Sequence, residues 1–341
     1  MRGAGLFGTM DHVNARSTVA GSGDLNRIAE LTPEASANVR HQHVISQVLL
    51  REFATPSKRV SGRHVQPYDL RHPERRLKTR APRGVAQIEN FVPFASASLE
   101  DTWGEVEREL PDAFAAVKAG DAFNDPHIGT VLRDLIALHY VRSQHYRELF
   151  HRLFAETYQE QRRWLLTNGA LRLQAAALER TGLYTTGPQG LAARADELLD
   201  VMMTTYRNGS LLRVRIEDNF GKARQLISRS PLEILEPEEG EFLIGDNPAL
   251  TVRHHDDKLL YSMALGDAHS TVLPIGPRHM LALGPADRYA AAAKADVDRM
   301  NVLQIKASRR YVYTRPGSPL APMIREVSHH WLADHNEIAS E

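Results

Sequence analysis

What most constrains the fold of this chain is where its periodicities lie. Residues from about 98 to 226 repeat their apolar groups at helical spacing, and strand-like runs flank that block on both sides. Upstream lie "VSGRHVQPYDL", "RRLKTR" and "RGVAQIENFV". Downstream, after Pro231, lie "EFLIGDNPALTV", "KLLYSMALG", "STVLPIGP" and "HMLALG", then a helical run "ADRYAAAAKADVDRMNVLQIKASR" and a last strand "RYVYT". Short strands so far apart complete one sheet only if the chain closes back on itself. The pattern predicts an α+β fold, an antiparallel sheet built from N-terminal and C-terminal strands packed on a central helical block. Strands split across both ends argue for a single domain over residues 36–320. Residues 1–35, rich in Gly, Ser, Ala and Thr, read as a loosely ordered arm, and residues 321–341 as a polar C-terminal segment.

Inside the block, Ser98 with Asp101 three residues later reads as a helix start. Val131, Leu135, Leu138, Val141 and Leu149 form one apolar stripe, and Asn208-Gly209 marks a break. Ahead of the block, Pro33-Glu34 reads as the opening of a helix. The stretch "RHQHVISQVLLREFA" reads as about three helical turns that stop before Pro56, because Val44, Val48 and Leu49 recur with Ile45 and Phe53. On such a helix His43 and Gln47 share a face, with Arg51 one turn further along. Residues 58–83 hold Lys58, Arg59, Arg63, Arg71, Arg75, Arg76, Lys78, Arg80 and Arg83 against only Asp69 and Glu74. Their short runs, separated by the turn "LRHPE", predict a basic antiparallel meander.

Several function classes drop out. Lys and Arg number 42, as do Asp and Glu, so no global field favours nucleic acid or an anionic membrane, and any basic surface is local. With no cysteine, disulfide-linked partners, thiol nucleophiles and iron–sulfur clusters are excluded. No run approaches the roughly 20 apolar residues of a membrane span, and no signal-like apolar region opens the chain, so a cytoplasmic protein without membrane partners is expected. Neither "GAGLFG" nor "GDNP" joins a strand to a helix as a dinucleotide loop requires, and there is no G-x-S-x-G elbow. Arg133 and His139 have the Arg/His spacing of helical RNases, but six residues of helix turn about 600° and point the two side chains about 120° apart. "RHHDD" and "SHHWLADH" lack the spacing of a zinc helix and read as solvated surface.

A set of short motifs, in order, resembles the bacterial domain of unknown function 4238 family. His43, Gln47, Leu50, Arg51 and Phe53 in "HVISQVLLREF" match its first element, and "ENFVPF" (Glu89 to Phe94) its second. Glu107 in "WGEVEREL", Arg142 in "HYVRSQ", "FLIGDNPAL" (Phe242 to Leu250), "VLPIGP", and Asn301 with "RRYVYT" match the rest. The order holds over roughly residues 40–315. Gly245 stands where the family usually has Ser, Ile45 where it has Pro, and Ser143-Gln144 where it has a Pro.

The polar residues at these motifs admit two readings. In the first the protein is a hydrolase, a nuclease cleaving phosphodiesters of nucleic acid. His43 is the general base oriented by Gln47, Asp246 and Glu107 hold a divalent metal ion as cofactor, and Arg142 stabilises developing negative charge. Arg51, Asn247, Arg63, Arg76 and Lys78 then bind the substrate, with the basic meander guiding it. In the second the protein is a non-enzymatic nucleic-acid or protein-binding module. There His43 is a helix-end histidine bonded to backbone, Asp246 closes an Asx-turn, Glu107–Arg142 is a structural pin, and the basic residues protect edge strands.

Overall fold

Local chemistry sets the element boundaries. The computed structural model describes residues 22–31, 38–56, 62–184, 187–255 and 258–338. Helix α1 (Ser22–Glu30) precedes strand β1 (His41–His43), the short helix α2 (Gln47–Glu52), and strands β2 (Thr55–Pro56), β3 (Arg63–His64), β4 (Gln66–Asp69) and β5 (Gln87–Glu89). The helical block follows as α3 (Ser96–Ala119), α4 (Pro126–Val141), α5 (Gln144–Thr167), α6 (Ala170–Thr181), α7 (Pro188–Arg207) and α8 (Ser210–Ile227). Strands β6 (Leu232–Pro237), β7 (Ile244–Gly245), β8 (Leu250–His255), β9 (Lys258–Tyr261), β10 (Ser270–Gly276), β11 (His279–Leu283) and β12 (Arg288–Ala292) lead to α9 (Lys294–Ala307), β13 (Tyr311–Thr314) and α10 (Ala321–Ile338).

The α+β class expected from the sequence is what the chain adopts, and strands from its two ends do meet in an antiparallel sheet, ordered β4-β13-β7. The larger sheet was not anticipated as a separate unit. Its six strands, ordered β12-β6-β11-β10-β8-β9, all come from the C-terminal half, and β12 runs parallel to β6. Side chains alternate across it as the pleat requires. Leu273 and Leu281 face a core shared with Trp103 of α3, Leu135 of α4 and Phe220 of α8. Val272, Met280 and Ala282 face the other way, against Val297 and Leu303 of α9. A third core joins Val312 of β13, Leu243 and Ile305 to Ile324 and Trp331 of α10.

Several sequence expectations change. Residues 288–292 form a strand, not the start of a helix; pairing with β6 and burial of Ala292 override the helix propensity of the alanine run. The basic stretch does not form one meander: β3 pairs with β2 before it, but β4 pairs β13 and β5 pairs β1. Helix α3 starts at Ser96, two residues before the expected cap, behind Ala95 at φ 47°. The break at Asn208-Gly209 is present, with Gly209 at φ 82°. At the N-terminus, Arg27 of α1 pairs with Asp218 and Glu217 on α8, while Pro33-Glu34 lies outside the described residues. The polar C-terminal segment carries α10, which is amphipathic: Ser328 and Trp331 are buried while His329 and His330 are exposed.

Candidate active site

The helix predicted through His43 begins only at Gln47. Ser46 caps it, its hydroxyl accepting from Val48 N–H, and His43 belongs to β1, where it pairs with Gln87 of β5. The expected contact survives by this different route, with Gln47 Nε2 3.5 Å from His43 Nδ1. On the other side of the ring, Gln87 Nε2 lies 3.1 Å and the Arg83 carbonyl 3.3 Å from His43 Nε2, and Gln87 also donates to that carbonyl. With the ring proton assigned to Nδ1 and the Gln47 amide oxygen turned toward it, Nε2 accepts from Gln87. Gln87 is exposed, so water can replace it at Nε2. Burial is the main cause that holds the His43 pKa below 6.5; the Arg142 charge adds to it, while the Arg83 carbonyl and Glu107 oppose it.

Beneath the histidine, α3 presents Glu100, Trp103 and Glu107 along one face, three and four residues apart. Arg142, at the C-terminal end of α4, reaches this face and is 2 % exposed. Its Nη1 donates to Glu107 Oε1 at 2.6 Å and its Nη2 to Glu100 Oε2 at 3.2 Å, and its guanidinium lies 4.3 Å over the Trp103 ring. Among the described residues Arg142 Nε, Glu100 Oε1 and Trp103 Nε1, all buried, have no hydrogen-bond partner. Burial raises the Glu100 pKa, Arg142 lowers it, and Glu107 raises it further. Ser143 caps α5 and places Gln144 at the first helical position, where proline is equally suited, which explains why this chain tolerates its departure there.

One turn before Arg142 lies His139, which the sequence reading placed only in an RNase-like spacing. It is fully buried: Nδ1 bonds the Leu135 carbonyl, and Nε2 accepts from Ser46 N–H at 3.1 Å. Burial, then the Arg142 charge, lower its pKa to about 3. It thus ties α4 to the turn at Ser46 that follows His43. Arg133 instead bonds Ser230 O and Asp287, on a different side of the helix, so the two do not form an RNase pair.

Asp246 serves the backbone. Oδ1 accepts from Arg309 N–H, and Oδ2 from Arg310 and Tyr311 N–H at 2.9 Å each, which fixes the turn before β13. Burial pushes its pKa up to about 6, against those three donors. Asn247 is buried and donates to the Ala307 carbonyl; Asn301 and Gln304 of α9 sew the same segment to the helix. Among the described residues no group of three or more His, Asp or Glu is placed to hold a metal ion. The expected Asp246–Glu107 cation site therefore has no geometric support, because Asp246 is closed off by amides and Glu107 is committed to Arg142.

His43, Gln47, Glu107 and Arg142 thus come together, whereas Asp246 and Asn247 lie in the β7 segment beside β13 and α9. Tyr313 links the two regions: its hydroxyl accepts from Ala86 N–H beside β5, and the Asp246 charge reaches its ring. Of the expected substrate contacts, Arg51, Arg76 and Lys78 are exposed, and Arg63 donates to the Ala54 carbonyl. Sequence reasoning missed Glu100, Trp103 and Gln87, and met His139 only in the spacing it shares with Arg133. The spacing of Glu100, Trp103 and Glu107 was the available signal for the first two; Gln87 is found only through strand pairing.

The family model for "Protein of unknown function (DUF4238)" matches residues 41–318, well over half of the chain. No curated protein and no solved structure matches it.

Proposed function

The chain belongs to the DUF4238 family of proteins of unknown function, and from that premise we propose that it is a hydrolase cleaving phosphodiesters of nucleic acid, with His43 as general base. The observation that carries this reading is the contrast in role between two histidines that both feel the Arg142 charge. His139 is fully buried, with both ring nitrogens committed to backbone. His43 is only partly buried, is held by two side-chain amides, and is kept neutral near pH 7. An oriented, neutral, solvent-reaching imidazole is what a general base requires.

In this mechanism His43 Nε2 takes a proton from the attacking water, the new oxygen–phosphorus bond forms, and the departing oxygen is protonated from solvent. Gln47 fixes the tautomer. Arg142 is a positioning residue: buried and neutralised by Glu107 and Glu100, it acts on substrate only through the pKa of His43. The exposed Arg51, Arg76 and Lys78 hold the sugar–phosphate backbone. No metal step is included.

A second reading, a non-enzymatic nucleic-acid or protein-binding module, is favoured by the commitment of Asp246 to three backbone donors and of both Arg142 terminal nitrogens to Glu107 and Glu100. Cleavage and retention of single-stranded RNA and DNA by His43→Asn and by Arg76→Glu/Lys78→Glu separate the two. The hydrolase loses cleavage but keeps retention in His43→Asn. A binder shows no cleavage in any form and loses retention only on charge reversal.

A further inference from the structure

Where the end of α3 meets the β10–β11 turn and the residues after β13 lies a cavity of about 560 Å³ whose lining includes neither His43 nor the side chains that hold it. Its walls carry Arg63, Lys118, Arg278, His279 and Arg315 against Glu52 and Glu241. The two acids are already engaged: Glu52 pairs with Lys118, and Glu241, almost wholly buried, pairs with Arg315. Arg63 and Arg278 differ from these. Arg63 Nε and one terminal nitrogen donate to the Ala54 carbonyl, while Arg278 donates to the carbonyls of Gly240 and Pro237. Among the described residues neither has a carboxylate partner, so two guanidinium charges are held in place by neutral oxygens and left uncompensated at the cavity. Burial disfavours protonation of His279 there, Glu236 favours it, and the charges of Lys118 and Arg278 again disfavour it. Phe114, Val117 and Ile275 complete the lining with apolar surface.

We propose that this cavity binds a small phosphorylated ligand with an apolar or planar body, of mononucleotide size. Arg63 and Arg278, exposed at the cavity and held by backbone carbonyls with no carboxylate of their own among the described residues, present guanidinium groups that match phosphate geometry. The volume falls within the range of small-molecule sites, and the apolar wall gives a base-like body a place to rest. The inference is independent of the role of His43. It also gives Arg63, read from the sequence as a contact for nucleic acid, a different ligand.

The test is calorimetric titration of the full chain with AMP, with inorganic phosphate and with adenosine. AMP binds most tightly, phosphate at least about tenfold more weakly, and adenosine not measurably, a tenfold step being about 1.4 kcal/mol. Arg278→Gln weakens AMP by about tenfold or more at unchanged melting temperature. Should that variant unfold, Lys118→Gln at the exposed rim weakens AMP with the fold intact. Absence of AMP binding by the wild type overturns the proposal, as does AMP binding equal in wild type and in every folded variant, or adenosine binding as tight as AMP.

Discussion

Arg142→Met removes a guanidinium while keeping a side chain of similar length over Trp103, and its consequences can be worked from the geometry. Breaking a buried pair so that a charge is left behind costs about 3–5 kcal/mol. The charges left behind, Glu100 and Glu107, have side chains 25 % and 22 % exposed, so water recovers part of that cost, and a loss of about 3 kcal/mol near neutral pH is expected. The cost depends on pH with a definite sign. Glu100 already titrates above its ordinary value despite Arg142. Without the cation the Glu100 carboxyl rises further, so the folded variant binds more protons than the unfolded chain in the acid range. Its stability deficit is therefore smallest at low pH and grows as pH rises through that raised value. Urea unfolding across pH reads this directly. The same variant moves the His43 titration upward, since Arg142 opposes its protonation, and NMR of the imidazole follows that shift. A deficit under about 1 kcal/mol, flat with pH, together with an unmoved His43 titration, would refute the placement of Arg142 as both pin and tuner.

Three further outcomes follow from the buried polar groups. His139, with its pKa lowered from 6.5 to about 3, stays neutral in the fold while the unfolded chain protonates, so stability is intact above about pH 6.5 and falls toward pH 3 by up to about 5 kcal/mol. His145, lowered to about 4, adds in the same direction, and denaturation curves at successive pH values check the sum. Asp246→Asn at neutral pH removes a net ionisation cost of about 3 kcal/mol, worked from a pKa raised from 3.8 to about 6 with its three donors included, but turns an amide NH2 against at least one backbone N–H, leaving both buried groups unpaired at about 1–3 kcal/mol each and the remaining bonds no longer charge-assisted. The net is a destabilisation of about 1–3 kcal/mol, measured by chemical unfolding. Gly245→Ser places a Cβ against Ser308 Oγ and within 3.0 Å of the Gln304 carbonyl, so it destabilises by about 1–3 kcal/mol, and Ser308→Gly in the same chain restores most of it on thermal melting.

The sequence made some of this architecture legible and hid the rest for physical reasons. The helical block was readable because its apolar stripes are long; the break that Ser143 makes between α4 and α5, inside the stripe read from Val131 to Leu149, was not. The α9 boundary was not, because alanines in β12 carry helix propensity and only pairing with β6 makes them a strand. His43 and Gln47 were found together although the supposed helix between them is a strand end, a cap and a turn, since Ser46 brings the two side chains close. Asp246 looked equally fit for chemistry and for turn geometry; its three backbone donors lie more than 60 residues downstream and cannot be inferred from local spacing. The same holds for Gln87 and for the ring of cations around Arg278, which only the tertiary fold assembles.

The most direct test of the central reading is the rate of hydrolysis of bis(p-nitrophenyl) phosphate by wild type and His43→Asn, followed over pH from about 5 to about 8. The account predicts a wild-type rate that rises with pH along an acid limb below about 6.5, and a fall of about 10²–10⁴-fold in the folded His43→Asn variant. A wild type that does not hydrolyse the diester, or a His43→Asn variant with an undiminished rate and the same pH profile, would contradict it.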